Sequence, residues 1–476
     1  MGSLASGIAC TAALQGIATP PPLVLTRTGL PTWWMEAMAS TAPPRRRSIS
    51  RVWVLLPVLP LAFAHEVGGP DGPASPLFGK LVGDIRFLDL VLLVFIACAI
   101  LLVRPERRRL GLDGPTLFAA WLCGAALLLS LVNGATSGAT NLFFDSRGLL
   151  IGVAVAVLTS RVVQTEVDVQ LITRIFLGIT AIYSTVLLLG FWALGWGPAL
   201  RDTGGQIPIY DGSILWTLCG AALLALNSLI SHDQPFGRRL GIVAGTSSGI
   251  VVLLSYRRTY WGVLAIGILV SILLIRGIGH RFRVVLVLVL AAISLVLLTG
   301  QERAVLRLRS IDPSTESVYS GTNADHVDDV REAWTQVQKE PLLGLGAGVP
   351  YDTSLTSRWK GPESFGVHNA VLHVWVFYGL LGLVAFLLWH LAYFRLLYGL
   401  ARRRGSTRSG SETRSAFARG ALGWSVGTFV VGCTFTPWPY GSVQTMIFVG
   451  LIWGISIALF RSSTARERDN VAISEL

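Results

Sequence analysis

Along most of the chain, apolar runs of helical length alternate with short polar connections. The apolar segments fall near 52–65, 87–103, 115–132, 148–160, 172–194, 213–230, 240–255, 260–275, 284–299, 370–398, 417–435 and 442–460. A helix satisfies its own backbone groups, so a run of this kind is stable in hydrocarbon where an irregular segment is not. The pattern predicts an all-α, polytopic membrane helix bundle of about twelve transmembrane helices, interrupted once by a long polar stretch. Its expected organisation is a disordered N-terminal segment 1–48, membrane spans one to nine over 49–299, a large loop 300–367, spans ten to twelve over 368–460 and a tail 461–476.

Composition agrees with this reading. Of 476 residues, 52% are hydrophobic and only 14% charged, where an ordinary soluble domain carries about 25% charge. A water-soluble enzyme is excluded. The 39 Lys and Arg outnumber the 27 Asp and Glu, for a net charge of +12, but the excess lies in short clusters between apolar runs rather than in one stripe. That distribution argues for membrane lipids as partners and against nucleic acid. The five cysteines, Cys10, Cys98, Cys123, Cys219 and Cys433, are far apart and lack a CxxC or His-rich neighbour, so they read as packing residues, neither disulfides nor metal ligands.

Charge also predicts orientation, because Lys and Arg in short connections stay cytoplasmic. One set of connections holds Arg45 to Arg47, Arg104 to Arg109, Arg161, Arg174, Arg238, Arg239, Arg276, Arg281, Arg283, Arg402 to Arg404, Arg408, Arg414, Arg419, Arg461, Arg466 and Arg468, among others. The alternate short connections hold only Lys80, Arg86, Arg147, Arg201, Arg257 and Arg258. The first set is therefore expected in the cytoplasm with both termini, and 300–367 outside a plasma membrane. Residues 1–44 are rich in Ala, Ser, Thr and Pro, and Met35 and Met38 are alternative starts. The run after Arg45 to Arg47, with Pro57 and Pro60, reads as a short first helix; the alternative is a secretory signal ending near Ala62-Phe63-Ala64. Gly241, Gly245 and Gly249 recur at i,i+4 and are expected to let two helices pack closely.

Two features carry candidate chemistry. Ser255-Tyr256-Arg257-Arg258-Thr259-Tyr260-Trp261 places two guanidiniums at the outer end of a tight helical hairpin, against the local charge rule. It reads either as headgroup anchoring with an aromatic belt of Tyr256, Tyr260 and Trp261, or as a phosphate clamp, since guanidinium offers a fixed fork of donors. The second is the outer loop. Residues 323–339 predict an amphipathic helix with a stripe of Val327, Val330, Trp334 and Val337, capped by Thr322 or Asn323 and followed by Pro341. Arg331 and His326 flank that stripe, positioned to face the mouth of the bundle or simply water. Gly344-Leu-Gly-Ala-Gly348 lacks the Lys-Ser or Lys-Thr of a phosphate loop and reads as a turn back to the membrane. The loop ends at His368-Asn369, immediately before an apolar helix. His368 is either an interfacial residue or a general base, with Asn369 orienting it or bonding an acceptor sugar. His373 is five positions on, about 140° around a helix, so the two do not make the i,i+4 metal pair. Trp334, Tyr351, Trp359, Phe365 and Trp375 are candidates for stacking on sugars.

In order and spacing, three stretches together resemble the bacterial O-antigen ligase and O-antigen polymerase superfamily of membrane glycosyltransferases. They are Ser255 to Trp261, Arg331-Glu-Ala-Trp334 with Pro341-Leu-Leu-Gly-Leu-Gly-Ala-Gly348, and His368-Asn369 with Tyr378-Gly379-Leu-Leu-Gly382. The resemblance runs in topology from about Asp84 to Phe460. It implies a helical fold of the GT-C type, a glycan donor on undecaprenyl diphosphate, a saccharide or lipid-linked acceptor, and transfer without nucleotide, metal or other cofactor. It implies work in cell-envelope polysaccharide or lipopolysaccharide biosynthesis, in the bacterial inner membrane, alongside other envelope polysaccharide assembly proteins. It assigns His368 to activation of the acceptor hydroxyl, and Arg331 with Arg257 or Arg258 to the donor diphosphate. Arg-Arg-Thr stands where Ser-Arg-Gly is common in the family. Alignment on Trp261 favours Arg258, while helical projection from Gly249 favours Arg257. The rival readings are a flippase or other multispan transporter for lipid-linked oligosaccharide and a non-catalytic envelope scaffold. No paired halves of similar sequence support the first.

Overall fold

The computed structural model describes residues 52–63, 80–82, 85–102, 112–142, 146–195, 212–275, 279, 281, 285, 320–350, 367–402, 408–434 and 442–474. All belong to one compact unit, Ser48–Leu476. Apart from a short antiparallel pair, β1 (Lys80–Val82) and β2 (Ile85–Arg86), the regular elements are helical. They are α1 (Phe87–Leu102), α2 (Gly114–Thr136), α3 (Ser146–Val162), α4 (Glu166–Leu194), α5 (Gly212–Ile230), α6 (Arg238–Leu254), α7 (Arg258–Leu274), α8 (Ser320–Lys339), α9 (Ala370–Arg402), α10 (Arg408–Gly432) and α11 (Val443–Ser474). The expected span at 284–299 lies outside the described residues except for Val285, as do 1–48, Tyr351, Trp359 and Phe365.

Among the described residues, five helices are long and apolar enough to cross a membrane: α2, α4, α5, α9 and the part of α11 from Val443 to Thr464. Helices α3 and α6, of 17 residues each, are only about 26 Å long at 1.5 Å per residue, short of a bilayer core of about 30 Å. The first expected span is not an α-helix. Trp53–Leu55 and Leu59–Phe63 are 3-10 turns, because Pro57 and Pro60 have no N–H to continue an α-helical ladder. One face of the segment, Val52, Leu55, Val58, Leu59, Ala62 and Phe63, is nevertheless buried, with Phe63 packed 5.6 Å from Phe176 and 5.3 Å from Tyr183, centre to centre.

Small residues set the closest helix contacts, though not mainly those expected. Gly450 and Gly454 of α11 fit against Gly152, Ala156 and Thr159 of α3, and Gly423 and Gly427 of α10 fit against Gly267 and Val263 of α7. A Cβ on Gly423 would lie 2.6 Å from the Gly267 carbonyl oxygen, so the backbones themselves touch. Of the predicted stripe, Gly241 and Gly245 pack on Leu229 and Ala225 of α5, but Gly249 faces open space.

One end of the bundle is knit by arginines from the connections expected in the cytoplasm. Arg414 pairs with buried Glu166 at 2.8 Å. Arg461 donates to the Ser160 and Val163 carbonyls at the end of α3, Arg174 to the Pro235 carbonyl, and Arg419 to the Ser231 hydroxyl. Guanidinium groups here satisfy carbonyls that helix ends leave without intrahelical partners. At this end His232, Asp233 and Glu412 also bring ligand atoms within 4.8 Å of one another, a proximity explained by the bond from the Asp233 N–H to Glu412 Oε2 at 2.6 Å. The candidate chemistry lies at the other end.

Candidate functional site

At that other end, α5, α7 and α9 begin while α2, α6 and α10 finish. The α6–α7 hairpin turns over three residues. Ser255 Oγ donates to the Val252 carbonyl at 2.6 Å and accepts from the Arg257 N–H at 3.4 Å. Tyr256 takes φ 51°, the left-handed region that a bulky residue occupies only when its surroundings hold it there. Trp261 does so by packing on Tyr256 and donating its indole N–H to the Val252 and Leu253 carbonyls at 3.3 and 3.1 Å. Tyr260 is 3% exposed, donates its hydroxyl to the Gly212 carbonyl at 2.9 Å and meets Trp216 edge-on. These aromatics are bundle hardware rather than the interfacial belt considered from sequence.

The hairpin delivers Arg257 as the N-cap of α7 and Arg258 as its first residue. Both are partly exposed. Arg257 Nη1 lies over Gly212 at the start of α5, 3.5 Å from where a Cβ would stand. A cation at a helix N-terminus opposes the macrodipole by about 0.3–1 kcal/mol, while an anion there is favoured. Two guanidiniums beside two helix N-termini make a local concentration of positive potential suited to a polyanion.

The end of α10 connects this hairpin to the start of α9. Gly262 abuts Val431, Gly432 abuts Ala370, and Asn369 Nδ2 donates to the Cys433 carbonyl at 2.8 Å. Asn369 Oδ1 accepts from the Val371 and Leu372 N–H groups, both at 3.0 Å. Asn369 is therefore the N-cap of α9 and a tether to α10, with both ends of its amide engaged. Asn369→Ala should cost about 0.5–2 kcal/mol through the lost cap; thermal unfolding of the purified protein measures it.

His368 precedes that cap. Its N–H donates to Asp329 Oδ2 at 2.7 Å, and its Nδ1 lies 3.2 Å from the same oxygen. The side chain of His368 is 23% exposed and that of Asp329 only 1%. Asp329 was not anticipated from sequence, because α8 is rotated from its expected pose. The buried face is Asp329, Ala333 and Val337, at i, i+4 and i+8, whereas Val327 and Trp334 of the predicted stripe are 48% and 46% exposed. Small Ala333 lets α8 approach α9, where it joins Val337, Val367, Val376 and Phe377 in one apolar cluster. Hydrophobicity alone could not rank a carboxylate as inward-facing; its signal was the i,i+4 spacing to Ala333. The helix also begins at Ser320, ahead of the expected cap at Thr322 or Asn323.

The other predicted site residues divide. Arg331, two positions from Asp329, points to the opposite face of α8; it is 75% exposed and pairs with Asp328 at 3.4 Å. The structure does not bring it to His368, since two helical steps turn a side chain about 200°. Trp334 meets Trp375 edge-on with 5.7 Å between ring centres. The side chain of His326 and all of Trp359 lie outside the described residues. His373 is fully buried, with Nδ1 accepting from the Val367 N–H at 3.4 Å.

Beneath the site, two of the quoted stretches lock together. Helix α9 breaks at Gly379 (φ 65°, ψ −171°). The break frees the Val376 and Phe377 carbonyls, which accept from the Leu345 and Gly346 N–H groups at 2.7 and 3.1 Å, while the Leu380 N–H donates to Pro341 at 3.0 Å. Helix α2 closes the arrangement: Ser130 Oγ donates to the Phe377 carbonyl and Asn133 Nδ2 to the Gly344 carbonyl, both at 2.9 Å. The Pro341–Gly348 segment is thus a turn, as its composition predicted, and the freed backbone groups are satisfied inside protein.

Fold and site together define a multi-pass membrane protein with a broken helix and a polar, arginine- and histidine-bearing site at one end of the bundle. Residues 242–387, from α6 through the break in α9, match the family model of the O-antigen ligase. This match contains all three stretches, so that this part of the chain is similar to the O-antigen ligase and polymerase superfamily. No curated protein matches the chain. The family implies a glycosyltransferase-like enzyme of polysaccharide synthesis, acting on lipid-linked glycans.

Proposed function

We propose that this protein transfers a glycan from undecaprenyl diphosphate to a saccharide hydroxyl on the outer face of the bacterial inner membrane, as an O-antigen ligase or polymerase. About twelve spans would carry it, with both termini cytoplasmic. The observation that carries the reading is that His368, partly exposed, and the Arg257–Arg258 pair both flank the end of α10.

In this reading Arg257 and Arg258 hold the diphosphate and balance the charge it gains as it leaves. His368 Nε2 takes the proton of the acceptor hydroxyl. That oxygen bonds to the anomeric carbon as the bond to phosphate breaks and its electron pair departs on the diphosphate, so the anomeric centre inverts. The arginines do here what a divalent cation does for nucleotide-sugar donors. Arg331, on the far face of α8, is left out of the diphosphate site.

Purified protein in liposomes with labelled lipid-linked glycan tests the proposal. Transfer onto acceptor is expected; translocation without product would make the chain a transporter instead. Arg257→Ala and Arg258→Ala should each weaken donor binding by about 10-fold or more, as loss of a charge-assisted hydrogen bond worth about 1.5–3 kcal/mol requires, and leave acceptor binding within about twofold. Equal losses for donor and acceptor would reduce the pair to anchors of the hairpin.

A further inference from the structure

We infer that Asp329 is a positioning residue for His368, so that the helix of the outer segment completes the reactive site. The inference rests on the proposed role of His368. One carboxylate oxygen, Asp329 Oδ2, accepts from the main-chain N–H of His368 at 2.7 Å and lies 3.2 Å from its ring Nδ1. A carboxylate that accepts from Nδ1 requires the ring proton there, which leaves Nε2 as the unprotonated nitrogen. Holding backbone and ring with a single oxygen fixes both where the residue stands and which way its imidazole faces. The same negative charge stabilises the imidazolium formed when Nε2 takes a proton, as an orienting carboxylate does for other histidine bases.

Asp329 arrives at this place by packing. It is 1% exposed, and the next turns of α8 bury Ala333 and Val337 against Val367, Val376 and Phe377, which bracket the first turns of α9. A buried carboxylate is costly unless it is hydrogen-bonded, so its presence on the apolar face of an otherwise solvent-facing helix calls for a partner that needs it. The exposed carboxylate beside it, Asp328, pairs with Arg331 across the helix surface instead.

The test compares Asp329→Asn with the wild-type protein in the liposome transfer assay. One asparagine atom must take the place of Oδ2: its oxygen there keeps both hydrogen bonds but carries no charge to stabilise the imidazolium, and its NH2 there gives up the bond from the His368 N–H and favours the wrong tautomer. The expected result is a kcat lower by about 10²- to 10⁴-fold, with donor and acceptor KM within about twofold and an unchanged melting temperature. Unaltered kcat, or a loss explained by a rise in KM or by unfolding, overturns the inference. A measurement on the wild-type protein needs no variant: ¹⁵N spectra of histidine-labelled protein, with His368 assigned by difference against His368→Gln, should show protonated Nδ1 and unprotonated Nε2, and the opposite tautomer refutes the inference. Full transfer by His368→Ala would sink the proposed function itself, whereas loss with His368→Ala beside full activity with Asp329→Asn would sink only the role of Asp329.

Discussion

His368→Ala should lower the transfer rate by about 10²- to 10⁴-fold, the usual contribution of a positioned general base, while the protein still inserts and folds. The side chain is suited to this because it is neither buried nor free: 23% of it is exposed at the mouth of the site, and its other ring nitrogen faces a buried carboxylate. The fold should survive because the cap of α9 is made by Asn369 and the apolar seal by Val367, Phe377 and Ala333. The measurement is initial rate in liposomes, with expression and melting temperature as controls. In cells carrying only the variant, surface polysaccharide reports which reaction is lost, because unattached long chains accompany ligase failure and single repeat units accompany polymerase failure. Unchanged glycan length and attachment would leave the protein as a scaffold.

Gly379→Ala should be strongly destabilising. With φ 65° and ψ −171°, Gly379 occupies a region essentially closed to other residues, at a cost of about 1–3 kcal/mol. A Cβ there would also collide with the Leu342 carbonyl oxygen and lie 2.6 Å from the carbonyl carbons of Leu342 and Leu343. That is rigid backbone, and forcing it aside adds about 1–3 kcal/mol more. Because the Pro341–Gly348 turn hangs on the carbonyls freed by this break, its displacement should also loosen α8, which ends at Lys339 immediately before it. Thermal unfolding in detergent should show the loss, and transfer activity should fall with it. Gly249→Ala is the control: it faces open space within a helix, and should leave stability unchanged or raise it by up to about 1 kcal/mol. Equal melting temperatures for the two variants would contradict the account of the break.

The place of the two arginines at a helical hairpin was legible from sequence, because adjacent arginines against the charge rule are conspicuous in an apolar chain. The mechanics of the hairpin were not. Tyr256, Tyr260 and Trp261 suit a membrane interface and a bundle interior equally, and only their partners, the carbonyls of Val252, Leu253 and Gly212, distinguish the two. Asn369 is similar: that a polar residue before an apolar helix caps it is known only once its hydrogen bonds are seen. For α8 the apolar stripe gave nearly the right helix with the wrong face, because Val327 and Trp334 outweigh an alanine in any hydrophobic count while close helix approach depends on the alanine.

Local sequence, then, determined that this is a helical membrane bundle, where most helices lie, and that Arg257, Arg258 and His368 stand at helix starts. Those are consequences of periodicity, proline and charge, which act within a turn or two of chain. Tertiary structure alone decided that Asp329 meets His368, that Arg331 turns away, and that α9 opens at Gly379 to receive the turn at Pro341–Gly348. Each depends on pairing groups far apart in sequence, such as Ser130 with the Phe377 carbonyl. Burial rewards such pairs only after the whole bundle has closed around them.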